Sequence, residues 1–312
     1  MKKFAFIFPG QGSQYVGMGK YFYDNFKESK DVFDRADDIL KFNLSNKIFN
    51  GTMDEISETK ITQPGILTVS MAILEVLKSI CDIKPFCTAG LSLGEYSALI
   101  CSGFLDFTQA IPLVQKRAEF MVSSLSDGEY GMTAVIGLSE EKILKVIDEV
   151  KNYGVLEVAN YNCPGQIVVS GEVSALEKAE ELFLENGAIK SVRLSVKAPF
   201  HTSFLSSAAE KFKVELSKIN FEESKIPVIS NVTAEEISYD SLVSLLSKQV
   251  MSSVLWEKSV HKMIEMGTDV FVEIGPGRTL SGFIKKIDRK ITVLNIEDQA
   301  SLEKFLKVLS EV

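Results

Sequence analysis

The stretch Phe86-Cys87-Thr88-Ala89-Gly90-Leu91-Ser92-Leu93-Gly94-Glu95-Tyr96-Ser97-Ala98-Leu99-Ile100-Cys101 runs from a short apolar segment, through a serine set between glycines, into a second apolar segment. Phe86–Leu91 has the length and character of a buried strand, and Gly94–Cys101 reads as the helix that follows. Between them lies a G-x-S-x-G, Gly90-Leu91-Ser92-Leu93-Gly94. In a strand–turn–helix setting this is the pattern of a nucleophile elbow. The glycines permit a tight turn, Ser92 projects from its tip, and the Leu93 N–H faces a developing oxyanion. The same residues also fit a plain turn whose serine caps the next helix.

Reading outward, Phe4–Phe8 is a five-residue apolar run ending at Pro9-Gly10, as a buried strand entering a loop would read. Ile61–Ile80 has helical spacing, with Thr62-Gln63-Pro64 as its expected start, and Phe107–Ser124 is amphipathic, with Val114, Ala118 and Met121 near one face. From Gly131 the texture changes. Strand Met132–Leu138, helix Glu140–Lys151, strands Val155–Tyr161 and Gln166–Ser170, helix Ala175–Asn186 and strand Ile189–Val196 follow in turn. That order, β-α-β-β-α-β, is the ferredoxin-like split unit. Residues 129–197 are therefore expected to form a small subdomain inserted into a larger one made of 1–128 and 198–312. Beyond it the alternation resumes: strands Val228–Ser230, Val270–Ile274 and Ile291–Leu294 are interleaved with helices within Ser241–Val250, Leu255–Met266, Thr279–Ile287 and Ser301–Ser310. The expected class is α/β, with a mostly parallel sheet covered by helices.

Composition narrows the function. The chain has 312 residues, with 34 Lys and Arg against 42 Asp and Glu, so its formal charge is −8. An acidic chain lacks the electrostatic footprint of a general nucleic-acid binder. No uninterrupted apolar run reaches the roughly 18–20 residues of a membrane span. Met1-Lys2-Lys3 before Phe4–Phe8 resembles the start of a signal peptide, but Pro9-Gly10 ends the run short of the roughly 7–15 residues of a secretory core. Cys81, Cys87, Cys101 and Cys163 form no C-x-x-C pair, and the only histidines are His201 and His261, so neither a zinc site nor a disulfide framework is expected. Free thiols fit a cytoplasmic location.

A serine nucleophile needs a base. His261 lies among Glu257, Lys258 and Lys262 on a helical stretch, which favours a solvent-facing role. His201, after Ala198-Pro199-Phe200, falls at the junction between the subdomains, where ligand clefts form. It is the preferred base, with packing or capping as the alternative. Pro9-Gly10-Gln11-Gly12-Ser13-Gln14 fits neither phosphate-loop pattern, since G-x-G-x-x-G would need glycine at Tyr15. It is either a plain turn or the second half of an oxyanion hole, with the Gln11 N–H beside that of Leu93. Arg117, taken alone, is an ordinary surface arginine on an amphipathic helix; fixed in place, it would grip a carboxylate through both oxygens.

Six blocks together resemble a known family: Phe8-Pro9-Gly10-Gln11-Gly12-Ser13-Gln14, Gly90–Leu99, Gln115-Lys116-Arg117, Asn162-Cys163-Pro164-Gly165-Gln166, Pro199-Phe200-His201 and Glu273-Ile274-Gly275-Pro276-Gly277. In order and spacing they are similar to the malonyl-CoA:acyl carrier protein transacylases, nearly end to end. The resemblance implies a hydrolase-like parallel-sheet core with an inserted ferredoxin-like subdomain. It implies that Ser92 is acylated, that His201 serves as general base and acid, and that the N–H groups of Gln11 and Leu93 form the oxyanion hole. Arg117 would hold the malonyl carboxylate, and the segment of Gln249 would support the histidine, oriented by main-chain carbonyls rather than by an acid. Met121, Asn162 and Phe200 would line the pocket, Phe200 favouring malonyl over bulkier units. Malonyl-CoA and acyl carrier protein are the implied partners, with no cofactor or metal and no required oligomer. Docking an acidic carrier calls for a local basic patch, either Lys285 and Lys286 with Arg289 and Lys290, or Lys190, Arg193 and Lys197. Three features depart from the family pattern: Leu91 replaces a usual histidine, Lys197-Ala198 replaces small residues, and Val254-Leu255-Trp256 lacks a proline. The competing readings are a serine esterase or thioesterase, a non-catalytic carrier-binding subunit, and an acyltransferase loading a polyketide synthase in trans.

Overall fold

The computed structural model describes residues 2–311. Its first sheet holds β1 (Phe4–Phe8), β2 (Cys87–Gly90), β7 (Val228–Ile229), β8 (Val270–Ile274) and β9 (Thr292–Ile296), all parallel, in the order β7-β2-β1-β8-β9. Every residue of β1 is buried, as a parallel strand covered on both faces requires. Its side chains alternate: Phe4, Phe6 and Phe8 join the main core with Leu67, Leu99 and Ile111. Ala5 and Ile7 face the opposite core with Trp256, Val260 and Ile284. The second sheet, β3 (Tyr130–Ile136), β4 (Leu156–Cys163), β5 (Gln166–Glu172) and β6 (Lys190–Arg193), is antiparallel in the order β4-β5-β3-β6. Helices Glu140–Glu149 and Val173–Glu185 cover one face through Ile143, Val146, Leu176 and Phe183. From the other face, Met132, Ala134 and Val168 join the main core. The fold is thus a parallel α/β core with a ferredoxin-like antiparallel unit between β2 and β7.

The long helix Thr59–Ile80 begins five residues ahead of Pro64, earlier than the sequence pattern predicts. The proline forfeits its hydrogen bond to the carbonyl four residues back, and the Thr62 hydroxyl separately ties the first turn to the chain before it, donating to the carbonyls of Ile56 at 2.6 Å and Glu58 at 3.0 Å. This helix has the length and hydropathy of a membrane span, but most of its residues are buried inside the protein. Four shorter helices between Lys20 and Ser57 pack against it and extend the main core.

Candidate active site

The carboxyl ends of β1 and β2 lie side by side, with Phe8 paired to Gly90. Three residues further along each chain stand Gln11 and Leu93. Neither N–H has a protein acceptor among the described residues. The loops touch so closely that a Cβ on Gly10 would lie 2.4 Å from the Leu91 carbonyl oxygen.

The serine turn is tight for the reason its glycines suggest. A Cβ on Gly90 would lie 1.9 Å from the carbonyl carbon of Gly94, and one on Gly94 would lie 2.1 Å from the Phe8 oxygen. Ser92 itself is held at φ 53°, a left-handed conformation costly for a residue with a Cβ. Asn231, just beyond β7, braces this turn: Oδ1 accepts from the Ser92 N–H at 2.6 Å and Nδ2 donates to the Gly90 carbonyl at 2.7 Å.

His201 Nε2 lies 2.8 Å from Ser92 Oγ, and Nδ1 lies 2.9 Å from the Gln249 carbonyl oxygen. A carbonyl can only accept, so Nδ1 carries the proton and Nε2 offers its lone pair to the serine. Burial, reinforced by the nearby Arg117 cation, pulls the imidazole down to about 4, against hydrogen bonds to the main chain at Gln249 and Ser252. His261 is exposed on the helix Trp256–Glu265.

Arg117 is 1% exposed. Nη1 donates to Gln63 Oε1 at 2.7 Å; Nη2 donates to Gln249 Oε1 at 2.9 Å and to Ser92 Oγ at 3.0 Å. Its guanidinium sits 5.4 Å from the centre of the Tyr96 ring. Every one of these partners is neutral, and no carboxylate lies within salt-bridge distance among the described residues. A buried cation so placed has no anion in direct contact, and the buried Glu95 carboxyl acts on it only from beyond Gln249.

A second layer ties these groups together. Glu95, fully buried in the first turn of the helix after Ser92, accepts from the Asn231 N–H at 2.9 Å and from Gln249 Nε2. Burial pushes its carboxyl up to about 7, while those two bonds and then Arg117 favour the charged form. Gln249 Nε2 also donates to the Ser92 carbonyl at 2.8 Å. Met121 Sδ accepts from Gln63 Nε2 at 3.6 Å, which orients the amide toward Arg117.

The structure therefore brings together Ser92, His201, Arg117, Gln249 and Met121. Phe200 is buried beside His201, with its ring in the main core. Asn162, on β4, is buried with Oδ1 lacking a partner. Lys285 and Lys286 are exposed but engaged: Lys285 Nζ donates to the carbonyls of Arg289 and Ile291, and Lys286 Nζ to Gln166 Oε1 at 2.9 Å. Gln63, Glu95, Tyr96 and Asn231 are site residues whose roles the sequence pattern did not assign. Only Glu95 carried a local signal, an acid within an otherwise apolar helix.

A parallel sheet whose second strand ends in a strained serine, with a histidine and a buried arginine converging on it, has the layout of serine acyl-transfer proteins as a class. Residues 5–305 match the acyl transferase domain family. The Bacillus subtilis malonyl CoA-acyl carrier protein transacylase is 42% identical over 313 residues, covering 100% of this chain and 98% of its own. The crystal structure of the Clostridium perfringens malonyl CoA-acyl carrier protein transacylase superposes with a TM-score of 0.94 at 48% identity, over 99% of this chain and 98% of the other. A malonyl-transacylase solved in complex with a type II PKS acyl-carrier protein reaches 0.95 at 36% identity, over 98% and 99%. The chain belongs to the acyl transferase domain family, among the malonyl CoA-acyl carrier protein transacylases.

Proposed function

We infer that this chain moves the malonyl group of malonyl-CoA to the phosphopantetheine thiol of acyl carrier protein, supplying fatty acid synthesis, through a malonyl ester on Ser92. The observation that carries the choice of acyl group is Arg117, a buried guanidinium with only neutral partners beside the serine. A malonyl carboxylate would supply the directly contacting anion that the guanidinium lacks and accept two parallel hydrogen bonds.

His201 Nε2 takes the Ser92 proton as Oγ attacks the thioester carbonyl, and the N–H groups of Gln11 and Leu93 receive the oxyanion. The carbon–sulfur bond breaks, and coenzyme A leaves as a thiol with the imidazolium proton. The carrier thiol then enters, gives its proton to Nε2 and attacks the ester. Breaking the carbon–oxygen bond returns the proton to Ser92. Depression of the imidazole pKa keeps the base neutral at working pH. Phe200, Met121 and Asn162 belong to the pocket in this reading, and Lys285 and Lys286 to the carrier face. The division into 1–128 with 198–312 and 129–197, and a cytoplasmic setting, are part of the same proposal.

Arg117→Ala tests the assignment. Ser92 acylation by malonyl-CoA should fall about 100-fold, the scale of one bidentate charged contact, and acylation by acetyl-CoA less than about tenfold. Equal losses for both would contradict the carboxylate role.

A further inference from the structure

His201 is reached from two sides by the inserted sheet. On one side, the turn that presents it is strained: His201 has φ 62°, and the Thr202 hydroxyl closes the turn onto the Pro199 carbonyl at 2.6 Å. The next residue, Ser203, opens a one-turn 3-10 helix. Its N–H donates to Glu157 Oε2 at 2.9 Å and its hydroxyl donates to Glu157 Oε1. Glu157 lies on β4, 46 residues away in sequence. The carboxylate thus takes the free N–H at a helix start, where a negative charge is favoured.

On the other side, the main chain that accepts the imidazole proton is paired to the same strand. Gln249 O receives Nδ1–H, and the segment that follows it meets β4 edge to edge. The Val254 N–H donates to the Ala159 carbonyl at 2.8 Å, and the Tyr161 N–H donates to the Val254 carbonyl at 2.9 Å. Ser253 Oγ donates to the Val158 carbonyl at 2.5 Å. The pairing of β4 with β5 slips between Val158 and Asn160, and again between Tyr161 and Cys163. Such bulges re-aim a strand's hydrogen-bonding groups, and here they flank the stretch whose free edge serves residues 253–254.

We propose that β4 of the inserted sheet positions the base, holding the turn of His201 through Glu157 and the acceptor of its Nδ1–H through the pairing at Ala159 and Tyr161. The inference rests on His201 being the general base. Glu157 is a positioning residue: it touches neither substrate nor imidazole, and acts by fixing Ser203 two residues on. The inserted unit is then more than one wall of a cleft, since moving it relative to the parallel core would move the base relative to Ser92.

The test is the single-turnover rate of Ser92 malonylation, measured across malonyl-CoA concentrations by rapid quench and intact mass. Glu157→Ala should lower the limiting rate about fivefold, less than its two charge-assisted hydrogen bonds are worth outright because Glu157 acts only through Ser203, with half-saturation changed less than twofold. Glu157→Gln keeps an acceptor for the Ser203 N–H and should recover most of the loss. The double variant Glu157→Ala, Ser203→Ala should be no slower than Glu157→Ala alone, because losing Glu157 already breaks both of its bonds to Ser203, the hydroxyl's included. A Glu157→Ala rate equal to wild type, a Glu157→Gln rate as low as that of Ala, or additive losses in the double variant would overturn the proposal. A wild-type chain that takes no malonyl group would overturn the transacylase reading and this inference together. A competent wild type with an indifferent Glu157→Ala would overturn this inference alone.

Discussion

Ser92 and His201 both sit at positive φ, 53° and 62°, yet their turns are held in opposite ways. Among the described residues only Lys41 and Ala234 share that conformation without being glycine. The serine turn is shaped by its own glycines, with Asn231 as a distant brace: Gly90 and Gly94 let the chain fold back on itself and against β1. The histidine turn contains no glycine and is fixed from a distance, by Glu157 on one sheet and by the main chain at Gln249 and Ser252. A nucleophile that must project from a sharp turn needs a steric solution, which is local. A base that must be oriented needs acceptors, and any segment that passes nearby can supply them.

The largest expected effect breaks the serine side. Gly94→Ala would drive a Cβ into the Phe8 carbonyl, so β1 and the helix after Ser92 must separate. We expect a loss of about 4 kcal/mol or more, read as the shift of the urea midpoint; a loss below about 1 kcal/mol would show that the turn is not sterically locked. Asn231→Ala removes both braces of the elbow and leaves the Ser92 N–H and Gly90 carbonyl without them. The limiting acylation rate should fall between about 10- and 100-fold, the kinetic equivalent of about 2 kcal/mol of misplaced nucleophile.

The histidine side is sharpened by pH. In the proposed mechanism the neutral imidazole is the base, so acylation should be lost as pH falls through the folded pKa. That value is depressed from 6.5 to about 4. The acid limb of Ser92 malonylation should therefore lie well below pH 6.5. A limb at or above 6.5 would mean that the imidazole is neither dry nor facing Arg117. The linked effect on stability has a definite sign. Between about 4 and 6.5 the unfolded chain binds the histidine proton and the folded one does not, so this group withdraws stability as pH falls across that window. Glu95 and Glu273, both raised by burial from 4.5 to about 7, act the other way: their protonated forms favour the folded state and lose that advantage as pH rises through 7. The smallest effect is at the rim. Lys286→Glu should raise the carrier's KM severalfold and leave that of malonyl-CoA unchanged; no change in the carrier's KM would remove Lys286 from the docking face.

The same contrast explains what the sequence made legible. Both sheets, the split β-α-β-β-α-β unit and the serine turn could be read because each is written in short-range periodicity or in glycine spacing. His201 could be chosen because the chain has two histidines and the other lies on an exposed helix face. Its support could not, since a carbonyl oxygen has no residue type. Arg117 illustrates the limit: on its helix it reads as a surface arginine, and its burial depends on Gln63 and Gln249, each more than 50 residues away. Asn231 and Glu157 are likewise ordinary polar residues until the fold brings them to Ser92 and Ser203. Pro64 misplaced a helix start because the helix runs straight through it, beginning already at Thr59.

The measurement that bears most directly on the acyl-transfer reading is intact mass in two steps, first with malonyl-CoA and then with phosphopantetheinylated acyl carrier protein. The pairing of Ser92 with His201 predicts a malonyl adduct that is absent in Ser92→Ala and that moves to the carrier thiol when carrier is added. An adduct released only as free malonate, or one that persists in Ser92→Ala, would contradict it.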